Sequence, residues 1–319
     1  MKVIALEEHY MDPEVARHWT EGGPESRAGP LRDRLLDVGA LRLKEMDEAG
    51  IDLQVLSHSA PATQRLDAES AVTVARSAND QLHRRISASD RFKAFAVLPS
   101  ANPPAAADEL ERAVTKLGFK GAMIHGLTWI GSQKLFIDDK RFWPIFERAQ
   151  ALDVPVYLHP AVPHPAVVEA YYKDYLKDFP GLLTAAWGFT VETATQGIRM
   201  VLSGMFDTYP KLKIILGHLG EGLPFSLWRI DMALQRQGNR STPFRDTFRE
   251  HVWITTSGNF STPALLCCVL EMGVDRILFS IDYPFVPNAP GPRWMEHVPL
   301  GEEDRHKILG GNAQRLLKL

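Results

Sequence analysis

Glu7 and His9 stand two residues apart at the end of the first apolar run, in Leu6-Glu7-Glu8-His9. On a strand that spacing puts both side chains on one face, where a carboxylate and an imidazole can share a cation. His159, in Tyr157-Leu158-His159-Pro160, and Asp282, in Ser280-Ile281-Asp282-Tyr283-Pro284, close two further apolar runs. Two neutral imidazoles and two carboxylates balance a divalent charge. A mixed nitrogen and oxygen set suits zinc or manganese better than copper or an iron–sulfur cluster. We therefore expect one divalent ion, Mn2+ or Zn2+, held by Glu7, His9, His159 and Asp282.

Other polar residues end apolar runs in the same way. His218 lies in Gly217-His218-Leu219-Gly220-Glu221-Gly222, where glycines permit close backbone approach and Glu221 is placed to orient the imidazole and raise its basicity. His58, His125 and Asn259 also sit at run ends, as substrate contacts or as hydrogen-bonded structural residues. Arg229, in Trp228-Arg229-Ile230-Asp231, is a further candidate substrate contact or a salt-bridged helix residue. The chain has 11 histidines. His9, His58, His125, His159 and His218 cluster at run ends, whereas His18, His83, His251, His297 and His306 read as ordinary surface or loop residues.

The elements that must position these groups follow from the apolar pattern. Runs at 2–6, 53–56, 92–98, 121–124, 154–158, 212–216, 252–256 and 276–280 are rich in Val, Ile, Leu and Phe with little alternation, as in strands buried on both faces. Amphipathic helical stretches lie between them, with Gly50, Gly118 and Gly273 as helix ends. Eight alternations predict an α/β fold, a (β/α)8 TIM barrel carried by a single domain over 1–319. All strand ends would then open into one mouth. Long loops over 11–35, containing Gly22-Gly23-Pro24, and over 160–183, containing Tyr171, Tyr172 and Tyr175, follow strands one and five and belong to the walls of that mouth.

Composition narrows the class. Hydrophobic residues make up 45% of 319, enough for a large core, and the net charge of -3 gives no basis for nucleic acid or an anionic membrane as partner. No apolar stretch approaches the roughly 20 residues of a membrane span. The two cysteines, Cys267 and Cys268, are adjacent. They read as small core residues, and a cytoplasmic location is expected.

The motifs quoted, together with Thr255-Thr256-Ser257-Gly258-Asn259-Phe260 and Ile215-Leu216-Gly217-His218-Leu219-Gly220-Glu221-Gly222-Leu223-Pro224, resemble those of the amidohydrolase-related, metal-dependent aromatic acid decarboxylases, in particular the γ-resorcylate type. The resemblance runs end to end. It implies the same four metal ligands, a small aromatic acid substrate beside His218 and Glu221, Asp282 as the acid that protonates the ring, and a homo-oligomer (tetramer or dimer) in which Arg229 reaches a neighbouring site. It implies non-oxidative decarboxylation of ortho-hydroxybenzoates, reversible as a carboxylation. Hydrolytic relatives usually begin with His-x-His and carry a bridging lysine after strand four. Here Glu-x-His replaces the first, and the only lysine of strand four, Lys120, is at its opposite end. A two-metal hydrolase is thereby disfavoured; a one-metal hydrolase or hydratase of a lactone or unsaturated diacid is the alternative.

Overall fold

A computed structural model describes residues 2–19, 29–235 and 243–319. The Gly22-Gly23-Pro24 part of the first long loop lies outside the described residues. Each expected strand region contains a strand: β1 (Ile4–Tyr10), β2 (Leu53–His58), β3 (Phe92–Ala94) with β4 (Ala96–Val97), β5 (Ala122–His125), β8 (Val156–His159), β9 (Ile214–Leu216), β10 (Val252–Thr255) and β11 (Ile277–Leu278). The hairpin β6 (Thr128–Ile130) and β7 (Gln133–Leu135) follows β5. All pairings are parallel except β6 with β7. One sheet runs β1-β2-β3 and a second runs β11-β10-β9-β8-β5-β4. Leu6 bridges Ser280 in parallel, and the Leu6 N–H donates to the Phe279 carbonyl at 3.1 Å.

β1 departs from the expected regular strand. It extends through His9 to Tyr10, and its register against β2 shifts between Ala5 and Glu8. Glu7 has φ +62° there. A bulge of this kind re-aims side chains locally, so a simple alternation of faces does not by itself account for how Glu7 and His9 point.

The strands separate two apolar layers. Ile4, Leu6, Leu53, Val55, Met123, Ile215 and Leu278 pack with one another and with Leu316 and Leu317 of the last helix, Asn312–Leu317. Ala5, Leu56, Ile124, Leu158, Leu216 and Ile254 pack outward against the helices. Helix Ala68–Ile86 shows why such segments fold: the Asp67 carboxylate accepts the N–H groups of Glu69 and Ser70, and Val74, Ala78 and Leu82 recur on its buried face. Gly50 and Gly118 end their helices at φ +70° and +72°, conformations that a side chain would disfavour.

The segment 160–183 is less bare than a loop. It holds short helical turns at Pro165–Val167, Val168–Tyr172, Lys173–Tyr175 and Pro180–Leu183. His251 also differs from the surface residue expected. It is buried, its Nδ1 lies 2.9 Å from the Leu212 carbonyl, and its ring stacks on Phe206. No helix of the described residues is long and apolar enough to cross a membrane.

Candidate metal centre

The ends of β1, β8 and β11 bring Glu7, His9, His159 and Asp282 together, with one donor atom from each lying within 4.8 Å of the others. His159 Nε2 is 3.3 Å from Glu7 Oε1, and His9 Nε2 is 3.3 Å from Asp282 Oδ1. Glu7 Oε1 and His9 Nε2 are buried and have no hydrogen-bond partner. Buried polar atoms left without partners are costly, and a divalent cation would satisfy both. The donor set therefore fits Zn2+ or Mn2+.

Three of these four candidate ligands are held through a second polar atom. Glu7 Oε2 accepts hydrogen bonds from the Tyr157 and Ser257 hydroxyls, which turns Oε1 toward the histidines. The Tyr157 hydroxyl also lies 2.7 Å from Thr255 Oγ1. His9 Nδ1 sits 3.2 Å from Ser57 Oγ. His159 Nδ1 is 2.7 Å from the Pro160 carbonyl and 2.9 Å from His125 Nδ1. A carbonyl can only accept, so the proton of His159 is on Nδ1 and its Nε2 presents a lone pair to the centre. Burial and the neighbouring His9 push His159 well below the usual histidine range, which also keeps it neutral.

His218 adjoins this group from the end of β9. Its Nδ1 is 2.7 Å from Glu221 Oε1, and its Nε2 is 3.4 Å from Glu7 Oε1 and 3.9 Å from Asp282 Oδ2. Burial opposes its protonation, but the carboxylates of Glu221 and Glu7 outweigh it and raise His218 well above the usual range. Burial likewise opposes ionisation of Asp282, yet the neighbouring His218 and His9 imidazoles hold it at about 2. His218, Leu219, Gly220, Glu221 and Gly222 all have positive φ. Glu7 and Asp282 do as well, at +62° and +70°. Non-glycine residues held in this region concentrate at functional sites.

The remaining candidates separate. His58 uses both ring nitrogens on backbone: Nε2 accepts the Asp12 N–H at 2.9 Å and Nδ1 lies 2.8 Å from the Ser59 carbonyl. Burial pushes it down to about 4. Neither nitrogen is left for a ligand, which makes it a structural residue. His125 supports His159 and is itself buried. Asn259 is half-buried beyond β10, its N–H bonded to the Thr256 carbonyl at 2.8 Å. Arg229 is exposed on helix Leu223–Gln235. Lys120 donates to the Lys318 carbonyl at 3.2 Å, near the chain end and away from the ligand cluster.

Tyr157, Thr255 and Ser257 were not singled out in the sequence, although a signal for them exists. Tyr157 precedes His159 by two residues on one strand, and Thr255 and Ser257 stand two apart, so period-2 alternation points each toward the ligand side. Gly217 also has a reason to be glycine. A Cβ there would lie 2.8 Å from Glu7 Oε2 and 3.2 Å from the Tyr157 hydroxyl.

The family model described as Amidohydrolase matches residues 16–319. The γ-resorcylate decarboxylase of Polaromonas sp. strain JS666 is 43% identical over 99% of this chain and 98% of its own length. The crystal structure of a dihydroxybenzoic acid decarboxylase from the same organism, with bound manganese and the inhibitor 2-nitroresorcinol, superposes with a TM-score of 0.91 at 42% identity, covering 100% of this chain and 97% of that one. A 2,6-dihydroxybenzoate decarboxylase complexed with 2,6-dihydroxybenzoate gives a TM-score of 0.91 at 40% identity, with full coverage of both chains.

Proposed function

Because the chain belongs to the amidohydrolase family, we propose from its site that it is a metal-dependent, non-oxidative decarboxylase of ortho-hydroxybenzoates of the γ-resorcylate type. The observation that carries this reading is the pair of buried, unpartnered atoms, Glu7 Oε1 and His9 Nε2, facing His159 and Asp282 beside a His218–Glu221 pair. We assign Glu7, His9, His159 and Asp282 as ligands of one Mn2+ or Zn2+ ion. Manganese is supported by its presence in the similar crystal structure. The ion would supply Lewis-acid binding of the substrate carboxylate and its ortho oxygen, fixing the ring and favouring the phenolate.

The chain's residues then handle one proton. Loss of carbon dioxide straight from the ring would leave an aryl anion, so protonation of the carbon bearing the carboxylate comes first. Asp282 alone, held at about 2, is a poor proton store. The store is the Asp282–His218 pair, with Glu221 behind His218. Asp282, the member of the pair that is itself one of the four assigned ligands, delivers the proton, and the new C–H bond takes the ring out of aromaticity. The C–C bond then breaks, its electron pair restores the ring, and carbon dioxide leaves. Run backward, the same steps carboxylate a phenol.

The scaffold we assign is a closed (β/α)8 barrel formed by one domain over 1–319; the Leu6–Ser280 bridge between the two sheets supports closure. We also assign a homo-oligomer, dimer or tetramer. Exposed Phe225 and Trp228 adjoin Arg229 on one helix, and large apolar side chains left in water favour a partner. Arg229 and Asn259 are retained as substrate contacts, Arg229 from the neighbouring subunit. The free thiols of Cys267 and Cys268 support a cytoplasmic location.

The test is an assay of manganese- and zinc-loaded protein for carbon dioxide release from 2,6-dihydroxybenzoate, other ortho-hydroxybenzoates and benzoate itself, in deuterated water. Release restricted to ortho-hydroxy acids, with deuterium at the vacated carbon, is expected. Lactone opening without carbon dioxide release would instead establish a hydrolase.

A further inference from the structure

Glu8 lies between two proposed ligands but serves a third. Its Oε1 accepts the Ile281 N–H at 3.0 Å and the Ser280 hydroxyl at 3.3 Å, and its Oε2 accepts the Tyr283 N–H at 3.3 Å. One carboxylate thus grips the backbone on both sides of Asp282, whose φ is +70°. Left-handed backbone is disfavoured for a residue with a Cβ, so this turn needs an external restraint. The Tyr283 carbonyl accepts the His9 N–H at 2.6 Å, which ties the same turn to β1.

A fully buried carboxylate is costly unless its oxygens are hydrogen-bonded and its charge is offset. Arg42, together with the Ile281 and Tyr283 N–H groups, supplies part of the offset against the burial that raises the Glu8 carboxyl. Arg42 is completely buried, its Nη2 donates to the His9 carbonyl at 2.5 Å, and its guanidinium lies 4.6 Å from the centre of the Tyr283 ring. Its charge acts on Glu8. The two side chains join β1 to the chain around Asp282 through backbone groups, without a hydrogen bond to the metal-facing atoms of the ligand cluster.

We propose that Glu8, with Arg42 as its buried counter-charge, is the positioning residue that locks Asp282 in its left-handed conformation and aims its carboxylate at His9 Nε2 and the ligand cluster. This rests on the reading of Asp282 as ligand and proton donor. The physical basis is reach: two carboxylate oxygens accept two N–H groups that flank one residue. Neither an amide nor a hydroxyl does so, and a turn released from that grip relaxes toward negative φ and carries the Asp282 carboxylate with it.

Glu8→Gln tests this, because an amide keeps the size but offers one acceptor and an opposing N–H. Ser280→Ala is a milder variant that removes one hydrogen bond to Glu8 and decides the matter should Glu8→Gln not fold. Mn2+ binding is followed by electron paramagnetic resonance, and kcat and KM are measured at saturating Mn2+. We expect Glu8→Gln to weaken Mn2+ binding by about ten-fold or more and to lower kcat by a similar factor with little change in KM, and Ser280→Ala to move both in the same direction by less. A lowered melting temperature with Mn2+ affinity and kcat unchanged in both variants would make Glu8 a purely structural residue and overturn the proposal. Asp282→Asn, measured alongside, separates the two readings. Near-normal turnover in that variant removes Asp282 as proton donor, while the Mn2+ affinity of Glu8→Gln still reports whether Glu8 positions a ligand.

Discussion

The Nδ1 atoms of His125 and His159 face each other at 2.9 Å, from adjacent parallel strands in direct register. The Pro160 carbonyl fixes the His159 proton on the same Nδ1, so His125 receives a share of that hydrogen bond as acceptor. His125 is thereby a support for a proposed ligand, at a position whose place at a run end had suggested a substrate contact or a structural residue.

Replacing His125 by Phe keeps the ring and removes the acceptor. Mn2+ affinity should fall by about 10–100-fold, the usual cost of losing a residue that orients a metal-bound histidine. Competition against a fluorescent chelator measures it. Unaltered affinity in a folded variant would mean that the Pro160 carbonyl alone orients His159.

Gly217→Ala should disturb Glu7 from the opposite side. The added methyl would sit 2.8 Å from Glu7 Oε2, closer than real contacts allow, and would push the carboxylate off Tyr157 and Ser257. Overpacking a tight interior costs on the order of 1–3 kcal/mol. Urea unfolding should show that loss, and isothermal titration should show weakened Mn2+ binding. A variant as stable as the parent, with unchanged Mn2+ affinity, would contradict the close packing found here.

Glu192, which is not among the proposed ligands, gives a pH dependence of its own. Burial raises its carboxyl to about 7, against the His164 backbone and Arg199, while a glutamate in the unfolded chain titrates near 4.5. The folded protein therefore keeps a proton that the unfolded chain loses. This contribution to stability is complete below about 4.5, declines as pH rises and is gone above about 7. The slope is at most about 1.4 kcal/mol per pH unit. Glu192→Gln should flatten that part of the stability profile, measured by urea unfolding from pH 5 to 7.5. An identical slope in parent and variant would assign the pH dependence to other groups.

How far the site was legible depends on the range of each interaction. Glu7, His9, His159 and Asp282 stood out in the sequence because each ends an apolar run, and parallel α/β topology brings such ends together. His218 and Glu221 were legible as a pair because they are three residues apart in a glycine-rich turn. The regions of the strands followed from apolar runs in the same way, and so did the helix ends at Gly50 and Gly118.

Other features depended on contacts that no local pattern encodes. Tyr157 reaches Glu7 across 150 residues, and Glu8 grips the chain around Asp282 more than 270 residues away. The left-handed backbone at Glu7 and Asp282, the bulge in β1 and the two backbone partners of His58 are likewise products of packing. The sequence determined which groups are present to bind a cation and handle a proton, because residue type and strand position fix that chemistry. The tertiary structure decided which oxygen of Glu7 and which nitrogen of His159 face the centre, because those choices rest on hydrogen bonds between segments that meet only when the chain has folded.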